Sequence, residues 1–214
     1  MSLIALDASG SQASLVLLGQ DGTLAGRWTA PLKPGLIETL PLLLQQAVPE
    51  NGITDVAVCI GPGSFTGLRT SIALAQGFAS GLGVTLWGIP AWDAYHEALK
   101  GLSRPLWVAI RARRGRLFML RDKGKAEAFP DDALPLPEAA IALAGDEADS
   151  VAASLIARGA DVLLTNVRLA DAASVGLAAL AHKRAGHAPL AALPLYVDPP
   201  EAKLPASGLR PTPV

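Results

Sequence analysis

Ten residues, Gly61-Pro62-Gly63-Ser64-Phe65-Thr66-Gly67-Leu68-Arg69-Thr70, follow an apolar run and open a stretch of helical spacing. Backbone N–H groups at such a strand-to-helix turn can converge on an anion. The letters do not fit the two best-known phosphate loops. A Walker A loop needs a lysine that is absent here, and a dinucleotide loop needs a third glycine at position 66, where Thr66 stands and Gly67 comes one residue late. A nucleophile elbow at Ser64 would need glycine two residues earlier, and Gly63 is adjacent instead. The plainer alternative is a tight turn whose helix is capped by Ser64 or Thr66 and which binds nothing. A hydrolase acting on its own is the rival class. Ser64→Ala separates the two, because it abolishes turnover in a hydrolase and only disturbs a turn otherwise.

Other chemistry-bearing residues are sparse. His96, His182 and His187 are far apart in sequence or five residues apart, so no i, i+4 pair is available for a metal-dependent transferase or protease. The single Cys59 lies in the apolar run Val56-Ala57-Val58-Cys59-Ile60 and reads as a buried, inert thiol. Charge is more informative. Residues 101–125 hold eight Lys/Arg against one Asp/Glu, while residues 1–100 hold four against seven and residues 126–214 hold six against eleven. The net charge of −1 argues against a general nucleic-acid coat. The basic segment, with Arg113 and Arg114 at its turn, is a candidate phosphate or RNA contact; the alternative is a solvated hairpin. Trp107 and Phe118 are too few aromatics for direct base reading.

The elements that position these residues can be drawn from periodicity. Leu3–Leu6, Ala13–Leu18 and Thr23–Trp28 read as an antiparallel meander joined by tight turns. Leu36–Val48 has helical spacing, Val56–Ile60 is a buried strand, Gly67–Gly81 a helix and Val84–Ile89 a strand. A meander extended by parallel β-α units is the layout of the actin, sugar kinase and Hsp70 group. The expected fold is therefore α/β, an actin-like ATPase (ribonuclease H-like) fold of two lobes with the second reduced. The lobes are placed at 1–100 and 101–193. The second begins with a hairpin, Leu106–Arg111 and Arg116–Arg121, and contains helices near Ser150–Arg158 and Asp171–Arg184. A tail at 194–214 carries six prolines and little regular structure. In this layout Asp7, ending the first strand, stands where an ATP-binding relative would keep a phosphate-side acid, or else simply caps the N–H of Ser9 or Gly10.

The first two helices are apolar over more of their circumference than one sheet face requires. Leu36, Leu40, Leu43 and Ala47 form one row, beside Ile37, Pro41, Leu44 and Val48. In the next helix Leu68, Ser71, Ile72, Ala75, Phe78 and Ala79 make a core row, and Thr70, Leu74, Gly77 and Gly81 a second row of mostly small residues. The spare rows either meet a partner or are sandwiched inside the domain. The opening Met1–Leu6 has no basic leader and is too short for a secretory segment, and no apolar run approaches the roughly 20 residues of a membrane span. Cytoplasmic residence without a membrane is expected.

The decapeptide at 61–70 resembles the hallmark of the TsaB (YeaZ) family. Asp7-Ala8-Ser9 resembles that family's opening Asp-Thr-Ser, Ala109 to Gly115 resembles its Ile-Asp-Ala-Arg-Arg-Gly block, and Pro194-Leu195-Tyr196-Val197 with Ala202-Lys203 resembles its C-terminal block. Two departures stand out: Arg111 replaces the usual aspartate, and Pro34 to Ile37 lacks the His-Ser-Glu that commonly opens the first helix. The resemblance implies a non-catalytic subunit that supports a TsaD-type transferase in making threonylcarbamoyladenosine next to the anticodon of tRNAs reading codons that begin with A. It implies pairing through the first two helices, with Leu36, Leu40, Leu43, Thr70, Leu74, Gly77 and Gly81 as partner-facing residues. Gly61, Gly63, Ser64, Phe65, Thr66, Gly67 and Arg69 form the family turn. It further implies contact with a TsaE-type ATPase, tRNA reached through the complex, a homodimer when the chain is alone, and ATP and metal carried by the partners instead of this chain.

Overall fold

A computed structural model describes residues 1–31, 36–48, 52–113, 115–121 and 126–197, and the side chains of 36–38 and 113 fall outside that description. In chain order the first lobe comprises β1 (Ser2–Asp7), β2 (Gln12–Gly19), β3 (Leu24–Pro31), α1 (Leu36–Ala47), β4 (Ile53–Gly61), α2 (Phe65–Leu82), β5 (Thr85–Pro90) and α3 (Ala91–Ala98). There follow β6 (Leu106–Arg113), β7 (Arg116–Arg121), β8 (Glu127–Pro130), β9 (Ile141–Ala144), α4 (Ala148–Ala157), β10 (Val162–Leu164) and α5 (Ala172–Arg184).

The first sheet has the order β3-β2-β1-β4-β5, with β1–β2 and β2–β3 antiparallel and β1–β4 and β4–β5 parallel. The second, β8-β7-β6-β9-β10, repeats this plan: an antiparallel meander, then two parallel strands. This is the two-lobed actin-like layout. β1 is central and helices cover both faces of its sheet, so Leu3, Ile4, Ala5 and Leu6 are all buried and the strand reads as a continuous apolar run. β3, at the edge, only alternates between exposed and half-buried.

Helices α1 and α2 cover one face of the first sheet. Helix α5 lies on the other, where a Cβ at Gly176 would meet Leu18 at 2.6 Å and Ala5 at 3.1 Å. The second sheet shows period-two division. Leu106, Val108, Ile110 and Leu120 join the core shared with the first lobe, whereas Trp107, Ala109, Leu117 and Met119 pack in a separate cluster with Val151 and Leu155 of α4.

Several expectations change. The sequence places 171–184 within a second lobe at 101–193, but α5 crosses back and completes the first. The Ser14 hydroxyl accepts the Ala172 N–H at 2.8 Å, and Lys183 Nζ reaches the buried Asp55 carboxylate at 2.6 Å. Burial alone would raise the Asp55 carboxyl, but hydrogen bonds from Lys183, Trp87 and Thr54 and the Lys183 charge hold it below its ordinary value. Leu40 does not face outward: it is 0 % exposed and packs with Ala8 and Ala13 against Leu74. Among the described side chains of α1 the buried ones are Leu40, Leu44 and Ala47, which mixes the two rows drawn from sequence. The tail is irregular from Pro194 but pinned as far as Tyr196: Leu195 N–H donates to the Ile60 carbonyl at 2.8 Å, Arg69 donates to the Tyr196 hydroxyl, and just before the tail Gln76 donates to the Ala192 carbonyl at 2.8 Å. Residues 198–214, and with them Ala202-Lys203, lie outside the described residues, as do Pro34, Gly35 and Arg114. No helix of the described residues is long and apolar enough to cross a membrane.

Candidate functional site

The family turn lies between β4 and α2 and presses against the β1–β2 turn. Gly61 takes φ +97°, a conformation that favours glycine. A Cβ on Gly67 would lie 1.8 Å from the Ala8 carbonyl oxygen, so only glycine lets the helix start this close to the neighbouring turn. The N–H groups that could have held an anion are partly used internally. Ser64 N–H donates to the Ser9 carbonyl at 2.7 Å, and Ser64 Oγ caps the helix by accepting Gly67 N–H at 3.3 Å. Thus Ser64, rather than Thr66, is the cap.

Asp7 adopts the turn-capping role: its Oδ1 accepts the Ser9 N–H at 3.0 Å and the residue is 2 % exposed. Burial pushes its carboxyl up to about 6, against the pull of the Ser9 hydrogen bonds. Burial and the adjacent Asp7 charge likewise raise the Cys59 thiol, consistent with an inert role.

The three histidines, scattered in sequence, gather in space on α3, α5 and the turn after it. His182 Nε2 lies 3.2 Å from Asp93 Oδ2, and the rings of His182 and His187 are 5.3 Å apart edge to face. They belong to the α3–α5 side of the first sheet, whereas Ser64 starts a helix on the other side. Among the described residues no three His, Cys, Asp or Glu side chains meet in a group that could hold a metal.

The basic hairpin carries less free charge than its letters suggest. Arg104 pairs with Asp161 at 2.8 Å, Arg111 with Glu147 at 2.5 Å, and Arg121 with Glu127. Arg111, standing where the family has aspartate, also donates its backbone N–H to Asp146 at 2.8 Å. A cleft of about 410 Å³ beside it mixes Arg111 and Arg116 with Asp131 and Glu147. The Arg113 side chain and Arg114 fall outside the described residues.

The open feature is the outer face of α2. Thr70 and Leu74 are half-buried toward α1, while Gly77 and Gly81 are exposed, and a Cβ built on either glycine meets nothing within 4 Å. Leu43 of α1 is half-buried beside exposed Pro41 and Leu42, and the Leu36 side chain is outside the description. The structure therefore leaves Gly77 and Gly81 open on the outer face, turns Leu74 inward onto the buried Leu40, and keeps Thr70 and Leu43 half-buried.

A family model described as TsaD, tRNA N6-adenosine threonylcarbamoyltransferase, matches residues 36–185. An uncharacterised protein of Mycobacterium tuberculosis is 30% identical over 196 residues, 88% of this chain and 84% of its own length. The tRNA threonylcarbamoyladenosine biosynthesis protein TsaB of Escherichia coli is 32% identical over 128 residues, 55% of this chain and 53% of that protein. Among solved structures, YeaZ from Pseudomonas aeruginosa superposes with a TM-score of 0.70 at 22% identity, covering 91% of this chain and 99% of that one, a likeness of fold. With a family model spanning most of the chain and these relatives beside it, the chain belongs to the TsaB (YeaZ) family, within the wider group that the TsaD model describes.

Proposed function

We propose that this chain is a non-catalytic subunit of the machinery that makes threonylcarbamoyladenosine in tRNA, acting by docking a TsaD-type transferase. The observation that carries the reading is the bare outer face of α2. Two glycines kept in the exposed second half of an 18-residue helix lower its intrinsic stability, by about 1 kcal/mol each relative to alanine. A face that gives up that much helix stability suits the close approach of another helix. Relatives named for threonylcarbamoyladenosine biosynthesis supply the pathway. The motif turn, closed by internal hydrogen bonds and lacking a nearby histidine, supports a structural part for Ser64 and Asp7. Docking then works by favouring the transferase's active state, to the extent that this chain binds that state more tightly. ATP and metal belong to the partners, a TsaE-type ATPase joins the assembly, and tRNA is met through the complex. When the partner is absent, the same face pairs two copies of this chain.

The test has two parts. The chain should co-purify with the TsaD-type protein of the same cell, and depleting the chain should lower threonylcarbamoyladenosine in tRNAs reading codons that begin with A while the carbamoylated adenylate is still made. Undiminished modified nucleoside by mass spectrometry would remove the chain from the pathway.

A further inference from the structure

Arg69 is the one charged residue between Asp55 and Asp93, a stretch of chain that runs from within β4 through α2 and β5. It lies on the exposed side of α2 and is held in place. Its guanidinium carbon sits 3.9 Å from the centre of the Phe65 ring and 5.8 Å from that of Tyr196, and its Nε donates to the Tyr196 hydroxyl at 2.9 Å. The two rings are 6.1 Å apart. Both aromatics are themselves half in solvent, Phe65 57 % and Tyr196 51 % exposed, with Leu193 and Leu195 exposed beside them. Two sequence blocks more than a hundred residues apart thus meet to build one surface feature.

With one face on an aromatic ring and Nε committed, the guanidinium bonds none of the described residues through its two Nη groups, which are left to donate. That is the planar fork which matches a carboxylate bidentately, and stacking has already restricted its freedom. The fork also heads a ridge: Arg69, Ala73, Gly77 and Gly81 follow at i, i+4 spacing, all exposed, with the last three small. We propose that Arg69, braced by Phe65 and Tyr196, anchors an acidic side chain on a helix of the docking partner as that helix lies along Ala73, Gly77 and Gly81. This rests on the docking role proposed above.

The surroundings select the occupant. Residues 188–197 carry no charge and Arg69 is the one cation of α2, so within these two described segments it stands alone, whereas nucleic-acid surfaces gather several cations along a track. A second copy presenting its own α2 has no carboxylate to offer, because that helix contains no Asp or Glu. An isolated arginine flanked by aromatics and ringed by apolar side chains is the composition of an interface hot spot.

The experiment uses the full chain and the purified TsaD-type protein, with affinity measured by calorimetry. Arg69→Glu and Arg69→Met should each weaken pairing by about tenfold or more, with melting curves close to the parent, since the residue is exposed. A smaller loss overturns the proposal. Arg69→Lys keeps the charge without the fork, and full affinity in that variant would likewise overturn it. Should Arg69→Glu bind the partner normally but lose tRNA or self-association instead, the anchor belongs to another ligand and the proposal fails. Absence of pairing by the unaltered chain is a different result, which defeats the docking role itself. Phe65→Ala and Tyr196→Phe, which leave the charge in place, should lower affinity by loosening the fork.

Discussion

A buried carboxylate at the end of a central strand is a thermodynamic probe as much as a candidate acid. Because burial raises the Asp7 carboxyl to about 6 from an unfolded value near 3.8, the folded state binds more protons than the unfolded state between those values. Its favourable contribution is complete below the unfolded value and is lost as pH rises through about 6, an effect of about 2–3 kcal/mol. Asp7→Asn keeps an oxygen for the Ser9 N–H and removes the ionisation. The variant should therefore be more stable than the parent at pH 7–8, and its urea-unfolding curve should lose the decline between pH 4 and 6. At Gly67 the reasoning is steric. An added methyl directed at the Ala8 carbonyl must push two turns apart, so Gly67→Ala should cost about 1–3 kcal/mol by denaturant titration although it lies at the start of a helix.

For the elements, the outer face of α2 allows stability and association to be pulled in opposite directions. Gly77 is exposed in mid-helix with open space before it, so Gly77→Ala should stabilise the free chain by about 0.5–1 kcal/mol. Gly77→Leu should leave the melting temperature near or above that of the parent and weaken pairing in sedimentation experiments. The meander, β4, α2 and the basic hairpin were legible in sequence because each combines a clear period with a strong turn signal. Helix α3 was not: its eight residues, Ala91–Ala98, start directly after Pro90 and include Trp92 and Tyr95, too short a window for a period to emerge. Strands β9 and β10, of four and three residues, are shorter still. The family turn is recognisable from its letters, but not that the Ser64 and Gly67 amides are spent on the Ser9 carbonyl and the Ser64 hydroxyl. Leu40 was misplaced because an apolar helix with Pro41 inside it offers two nearly equivalent rows, and only the β1–β2 hairpin beneath decides between them. The charge of the hairpin was legible while its neutralisation was not, since Asp161, Glu147 and Glu127 arrive from later in the chain.

On the scale of the whole molecule, the return of α5 ties the end of the described chain to its beginning. Among the described residues Lys183 is the one cation paired with the buried Asp55, and their bond joins α5 to β4. Lys183→Met would leave that carboxylate with its hydrogen bonds from Trp87 and Thr54 but without this cation. Because the lysine is 40% exposed, water replaces part of the interaction, and a loss of about 1–3 kcal/mol is expected near neutral pH. The Asp55 carboxyl is held low in the fold, so its contribution is present above the unfolded value and disappears as pH falls through the lower, folded one. The stability difference between variant and parent, measured by thermal unfolding, should shrink on acidification.

The same return has a consequence for synthesis. The first sheet is complete in sequence by Pro90, yet the helix that covers Leu3, Ala5 and Leu18 is not translated until Arg184. At about 5–20 residues per second, a ribosome leaves that apolar face bare for several seconds after its last strand has been made. A nascent chain stalled within the second lobe would thus be a sticky, half-clad sheet, and ribosome-bound chaperones should crosslink to it most strongly between the emergence of β5 and that of α5.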